Sequence, residues 1–588
     1  MALPIRSESI RMRAKRNFCM MRKNKKQLLC VLCALSLFLF SSCKILSPFP
    51  KTWKGPTAEH SSSQTDREPY TKRHYSGDIE HFDIPLEERP RDSFDKRAFL
   101  VAFFEFKDII QSEYDEANEA KLLALYEKIK SGLLNLKTDV SLAKYDYYLD
   151  VTNQENAESY VDKEELYNSY FAKSLSLFKT VFSTEYADAF RSHVGDWCAD
   201  TFAAGGRILS EDQKALKNKI NELKQEYDTM VFQSTDSAAL KELYLELVNA
   251  NNEYARLCGY NSYVDYAYAE VFARDYTAED IQVIEDEIIN EFLPLYTAYT
   301  AYVTDNGSVF DAYQENHDSG EEMFTRLKNC IQNISPELKE SLDHLLQNIL
   351  YDADESDTKL FNSCFTQEIY SYNDAYIFIS PNHTVSDYIT VLHEFGHYNR
   401  AYYTATSNPF RPKGTDDIEE IMSQGLQLLC YDYYGDYHEK YGSALAAQTI
   451  FQKMTAILDG FAVNEAEYRS YTTPDLTIEK LDAIWAETFE KYGRPFEDTS
   501  WTQISQVFQK PFYYISYATS GLASFEIFAE SRKDFNIGIE KYMTITSLPK
   551  GTKFIEALNI AELQNFFEKG VISELSDILA DALGVQKK

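Results

Sequence analysis

The stretch 384-TVSDYITVLHEFGHYNRAYYT-404 decides how the rest of the chain is read, because it carries His393-Glu394-Phe395-Gly396-His397. In a helix of about 100° per residue, the four-residue step sets the two imidazoles about 40° apart on one face, within reach of one ion. Glu394, one residue past the first His, stands beside such an ion rather than on it. A carboxylate there can take a proton from a metal-bound water. This is half of a zinc hydrolase site, and it still needs a helix and a third ligand. The helix has its signals: Thr384 or Ser386 to cap it, Asp387 for first-turn negative charge, and Ile389, Leu392, Phe395 and Tyr402 as an apolar stripe. The plain alternative is an amphipathic helix whose two His satisfy core hydrogen bonds.

A hydrolytic zinc site takes three protein ligands and keeps one position open. The first carboxylate cluster downstream is 416-DDIEEIMSQGLQLL-429, helical again, with Ile418, Ile421, Met422, Gly425 and Leu429 facing inward. Glu419 and Glu420 point about 100° apart, so one of them faces the ion, and spacing alone does not choose between them. Asp416 and Asp417 read better as solvated carboxylates at a helix start. Upstream, 374-DAYIFIS-380 is short, apolar and stopped by Pro381-Asn382, the pattern of a strand feeding the histidine helix. Such a strand can offer its edge to an extended peptide, although packing is an equally good reason for it.

His393-Glu394-Phe395-Gly396-His397 followed by Glu420-Ile421-Met422-Ser423-Gln424 resembles the H-E-F-G-H and E-x-x-S signatures of the thimet oligopeptidase and oligoendopeptidase F family of zinc metallopeptidases. That resemblance implies Glu420 as the third ligand. It is concentrated in 374–430 and extends to 460–525, where 463-VNEAEYRSYTTPDLTIEKLDAIWAETFEKYG-493 and 511-PFYYISYATSG-521 look like the oligoendopeptidase F branch. Elsewhere only helix content and length agree. The resemblance implies a mostly α, elongated, two-lobed body with a deep channel and a small β element beside the zinc helix. It also implies one Zn2+ per chain and cleavage of short oligopeptides, with folded proteins excluded.

Attack on a peptide carbonyl builds an oxyanion, which a Tyr hydroxyl beside the metal can stabilise. Tyr513, Tyr514 and Tyr517 are the candidates and Tyr517 is preferred; in a chain with 43 Tyr, an aromatic core stripe is the competing explanation. One position departs from the family pattern. Members of this branch usually carry a His five residues before the Phe of the F-Y-x-x-x-Y run, and here that place is Val507. Loss of such a donor costs about 3–4 kcal/mol in the barrier unless another group, such as the adjacent Gln506, replaces it. Two other functions stand beside the endopeptidase: a different Glu-zincin such as a dipeptidyl carboxypeptidase and, on account of Val507, a catalytically impaired peptide-binding lipoprotein.

The chain begins differently. Residues 1–27 hold nine Lys or Arg against Glu8, and Leu28–Phe40 is a thirteen-residue apolar run, too short to span a bilayer and suited to a secretory signal. Leu39-Phe40-Ser41-Ser42-Cys43 resembles a bacterial lipobox, with Phe40 where Leu, Val or Ile is usual. This implies a signal peptide over 1–42 and a lipidated Cys43 that tethers an extracytoplasmic chain to the membrane; a plain cleaved signal and an uncleaved anchor are the alternatives. Residues 43–92, rich in Pro, Ser, Thr and mixed charge, read as a flexible tether, unless Ile84, Pro85 and Leu86 pack on the body.

Beyond the tether helical periodicity persists, with capping boxes at Ser210/Gln213 and Thr277/Asp280. A chain of 588 residues is long enough for two lobes, expected as a helical N-terminal lobe over 93–350 and a catalytic lobe over 351–588. The net charge of −33, made more negative by removal of the basic leader, excludes binding to nucleic-acid phosphates. Cys198, Cys258, Cys330, Cys364 and Cys430 are too scattered for a disulfide framework. Oligomeric state and side-chain preference are not encoded in any motif.

Overall fold

Capping chemistry starts helices where the sequence puts it. At the head of Glu211–Gln233, Ser210 Oγ accepts from Gln213 N at 3.2 Å and Gln213 Oε1 accepts from Ser210 N at 2.9 Å. Thr277 and Asp280 close the same reciprocal box on Ala278–Glu287. The computed structural model describes residues 79–587 except 205–208, 234–236, 306, 308–311, 361–362, 407, 412–413 and 497–500. The proposed signal, Cys43 and most of the tether lie outside these residues. Among the described residues helix takes up 71% and strand 3%, so the fold is mostly α. Among the described residues no helix is long and apolar enough to cross a membrane.

Two apolar clusters hold the helices. The first gathers Phe99, Phe106, Tyr126, Phe178 and Phe202 from helices between Lys96 and Ala204, and Phe410, distant in sequence, closes it. The second and larger cluster runs from Leu86 to Leu583 and contains residues on both sides of 350, among them Leu345 and Ala353. The break in packing thus falls near residue 204, and the long helix Glu119–Leu149 serves both clusters, with Leu142 and Tyr145 in the second.

Three strands, β1 (Tyr351–Asp352), β2 (Cys364–Ile369) and β3 (Asp374–Ile379), form a sheet in the order β1-β3-β2, with β1 parallel and β2 antiparallel to β3. The strand expected at 374–380 is therefore present, and of the two reasons for it, edge pairing and packing, packing is the one that holds. β3 is central and fully buried, so it has no edge to offer, and the edge strand beside the histidine helix is β2.

From residue 79 the end of the stretch read as a tether is packed on the body. Leu86 is buried and its N–H bonds Asn348 O at 3.1 Å. Arg89 forms a buried ion pair with Asp374 at 2.7 Å, and the His81 ring stacks on Tyr402 at 3.8 Å. Ile84, Pro85 and Leu86 are thus the foot of an ordered arm that lies against the base of β3.

Candidate metal centre

The histidine helix spans Asp387–Tyr403. Its expected cap is built differently: Ser386 makes no side-chain cap bond, and Asp387 reaches back instead, accepting from Asn382 N at 3.0 Å and Thr384 N at 3.2 Å. Thr384 and Ser386 hydroxyls bond each other, and Ser386 itself has helical dihedrals. The helix lies against the glutamate helix Asp416–Leu429 at Gly396. A Cβ on Gly396 would stand 2.5 Å from Met422 O and 2.6 Å from Ser423 Cα. The missing side chain lets the second helix come close enough for its carboxylate to meet both imidazoles. Gly396→Ala should force the helices apart at a backbone contact that cannot yield, costing about 1–3 kcal/mol by overpacking and weakening metal retention; thermal unfolding with and without zinc checks this.

His393 Nε2 and His397 Nε2 are 3.3 Å apart, and His393 Nε2 is 3.9 Å from Glu420 Oε2. One ligand atom from each of the three residues lies within 4.8 Å of the others. Two imidazole nitrogens on one tetrahedral zinc, at about 2.0–2.1 Å each, stand about 3.3 Å apart, so the pair already has the spacing such an ion requires. Burial, with His397 and Lys453 alongside, pushes the His393 imidazole well below its ordinary pKa, leaving the ring neutral with a lone pair to give. Glu419, the alternative left open by spacing, turns away and sits 3.6 Å from the buried Arg400 guanidinium.

Gln427 was not anticipated from sequence, though it lies two turns beyond Glu420 on the same helix. Its Oε1 is 3.3 Å from His393 Nδ1, while its Nε2 donates to Ile389 O at 2.9 Å. The second bond fixes the amide so that Oε1 accepts from Nδ1–H and Nε2 of His393 is left for the metal. Gln427→Leu should lower zinc affinity by about 10–100-fold, read by chelator competition.

Glu394 is 5% exposed and points along the cluster toward β2, where Thr366 Oγ1 lies 2.9 Å from both its Oε2 and its main-chain O. Burial pushes the Glu394 carboxyl above its ordinary pKa; the Glu420 charge adds to this, and His397 and Thr366 oppose it. The side chains of His393 and Glu420 keep 26% and 12% exposure, so the cluster opens to solvent while Glu394 does not.

The tyrosine segment precedes and enters the helix Ile515–Lys533. Tyr513 OH donates toward Glu420 Oε1 at 3.4 Å, and its ring meets that of Tyr517 edge-on at 5.2 Å. Burial and the Glu420 charge push the Tyr513 and Tyr517 hydroxyls up, so both stay protonated donors. Tyr514 packs on Tyr517 but feels Asp459 and Glu467 rather than Glu420. The geometry thus brings Tyr513 to the cluster, with Tyr517 against its ring and Tyr514 in turn against Tyr517. Val507 lies in the apolar core, and Gln506 Oε1 accepts from Ser505 Oγ at 3.2 Å.

What holds this segment against the glutamate helix is Asp417. Expected to be solvated, it is 1% exposed and ion-paired with the equally buried Arg274 at 3.2 Å. Tyr276 OH and Thr519 Oγ1 donate to its other oxygen at 3.0 and 3.1 Å. Arg274 Nη2 donates to Phe512 O and Ser516 Oγ, both at 2.9 Å, and Glu467 Oε2 accepts from Phe512 N at 3.0 Å. These bonds pin Phe512 at φ +69°, a left-handed turn that aims Tyr513 at Glu420.

A second cluster, His81, His344 and Asp374, also brings three ligand atoms together. Asp374 is already neutralised there: Arg89 Nη2 is 2.7 Å from it and His344 Nε2 is 3.0 Å away. A guanidinium at that distance makes the group an anchor for the arm and repels a cation.

No protein-family model matches the chain, and no curated protein does. Solved structures do. PZ peptidase A with an inhibitor superposes with a TM-score of 0.68 at 16% identity, over 85% of this chain and 99% of the other. A protein assigned as an oligoendopeptidase F gives 0.67 at 17%, again over 85% and 99%, and another from Bacillus anthracis gives 0.64 at 16%, over 87% and 99%. The chain shares the mostly helical fold of these peptidases across nearly their whole length.

Proposed function

We propose that the chain is a zinc-dependent endopeptidase that hydrolyses short oligopeptides. The observation that carries this reading is the convergence of His393, His397 and Glu420 within 4.8 Å, with the buried Glu394 next to His393 on the same helix. The fold, shared with solved peptidases, supports it independently. His393 Nε2, His397 Nε2 and a Glu420 oxygen would hold the ion. When bound, zinc supplies Lewis-acid polarisation of the scissile carbonyl and an acidified water.

The chain's own groups do the rest. Glu394 takes the proton of the attacking water and passes it to the leaving amine. Thr366 fixes one of its oxygens, leaving the other for that transfer. Tyr513 and Tyr517, protonated at any physiological pH, donate toward the carbonyl oxygen as its charge grows. An extended peptide is received along the edge strand β2, where main-chain pairing binds backbone irrespective of side chain.

The test is digestion of a library of N-acetylated, C-amidated peptides by zinc-loaded protein. Internal cleavage that stops with a chelator and returns with zinc is expected; a dipeptidyl carboxypeptidase would spare capped carboxyl ends, and an absence of internal cleavage sinks the proposal. We further propose that the mature chain begins at a diacylated Cys43 and works outside the cytoplasm, which mass spectrometry of the native amino terminus checks; an unmodified first residue would reject it.

A further inference from the structure

Among the described residues, Lys and Arg side chains buried to less than a tenth exposure have partners in every case but one. Arg89 pairs with Asp374, Lys241 with Asp482, Arg274 with Asp417, Lys359 with Asp352 and Arg494 with Asp459, and Arg400 donates to three backbone carbonyls. The exception is Lys453, 8% exposed, in the middle of the helix Gly442–Thr472, with no hydrogen bond or ion pair to any described residue. That helix packs on the histidine, glutamate and tyrosine helices together. The Glu420 carboxylate acts on Lys453 and Lys453 in turn acts on His393, so the ammonium lies within electrostatic reach of the proposed ligands.

An ammonium taken out of water without a counter-charge is costly, and a packed core replaces such a group readily with an apolar one. A cation kept there beside the proposed ligands, with no ion pair of its own, is free to take a partner that arrives from outside. Resting on the peptidase reading, we propose that Lys453 is the substrate-facing cation of this site, receiving an anionic oxygen of the bound peptide. That oxygen is either the scissile carbonyl oxygen as charge develops or a carboxylate at the peptide's end. The first would supply the donor that Val507 does not.

Lys453→Met and Lys453→Arg, measured against the parent, separate these outcomes. Lys453→Met should hold zinc at parental stoichiometry and unfold at no lower temperature, because no hydrogen bond or ion pair to a described residue is lost. Its turnover should fall by about 10²–10³-fold, with affinity for a phosphinic peptide falling in parallel, and Lys453→Arg should recover part of both. A loss of kcat on capped and free-acid peptides alike identifies the carbonyl oxygen; a rise in KM confined to free-acid peptides identifies the carboxylate. The proposal is overturned if Lys453→Met changes turnover and phosphinic peptide binding by less than about threefold, or if zinc and thermal stability are lost in step with activity. Should the parent cleave no peptide, the peptidase reading fails by itself, and binding of phosphinic and free-acid peptides to zinc-loaded parent and Lys453→Met still decides the role of Lys453.

Discussion

Glu394→Gln should leave zinc bound at one per chain and lower peptide turnover by about 10²–10⁴-fold, the usual contribution of a positioned general base. The change is nearly isosteric, and the amide oxygen of Gln can still accept from Thr366 Oγ1, so position is preserved while basicity is lost. Because burial opposes the charge on Glu394, the neutral amide should not destabilise the protein. Melting temperature and zinc content are therefore the controls, and both should match the parent. A Glu394→Gln variant that cleaves quenched fluorescent peptides at the parental rate would remove Glu394 from the chemistry.

The second large effect is on stability. Asp417→Ala should cost about 3–5 kcal/mol, because it strands the Arg274 guanidinium in the core with its counter-charge gone. Tyr276 loses its acceptor in the same step, while Thr519 keeps Ile515 O at 3.1 Å. The loss reaches the site, since Arg274 is also what holds Phe512 O and Ser516, and with them the turn that aims Tyr513. A double variant, Asp417→Leu with Arg274→Met, should be more stable than Asp417→Ala alone, because no unpaired charge is left. Urea unfolding of the three proteins checks the order; equal stability of Asp417→Ala and parent would mean the pair is not the clamp described above.

These two residues mark what could and could not be read from sequence. The His393, Glu394 and His397 constellation is legible because helical geometry is local: four residues bring two imidazoles to one face wherever the helix is packed. Choosing between Glu419 and Glu420 needs the direction of approach of a second helix. That direction is set by the missing Cβ of Gly396 on one side and by Arg400, which takes Glu419, on the other. Asp417 looked like any acid at a helix start, since its partner lies 143 residues away.

Gln427 was within reach of a helical-face argument from Glu420, and only the identity of its ligand partner was hidden. Lys453 gives no sequence signal, because a lysine in a helix is ordinarily on the wet side. The helices themselves were legible from periodicity and capping. The sheet was only partly so: β3 announces itself as an apolar run, while β2, with Thr366, Gln367 and Glu368 in it, does not alternate clearly enough to be told from loop. Its pairing with β3 makes β3 a buried centre rather than an edge.

Anomalous diffraction at the zinc absorption edge from crystals of the zinc-loaded protein addresses the central claim with the fewest intermediaries. One strong peak is expected between His393 Nε2, His397 Nε2 and a Glu420 oxygen, at bonding distance from all three, with the Glu394 carboxylate beside the ion and outside its ligand set. A peak elsewhere, or one bound by the two imidazoles while Glu420 stays on Tyr513, would contradict the account.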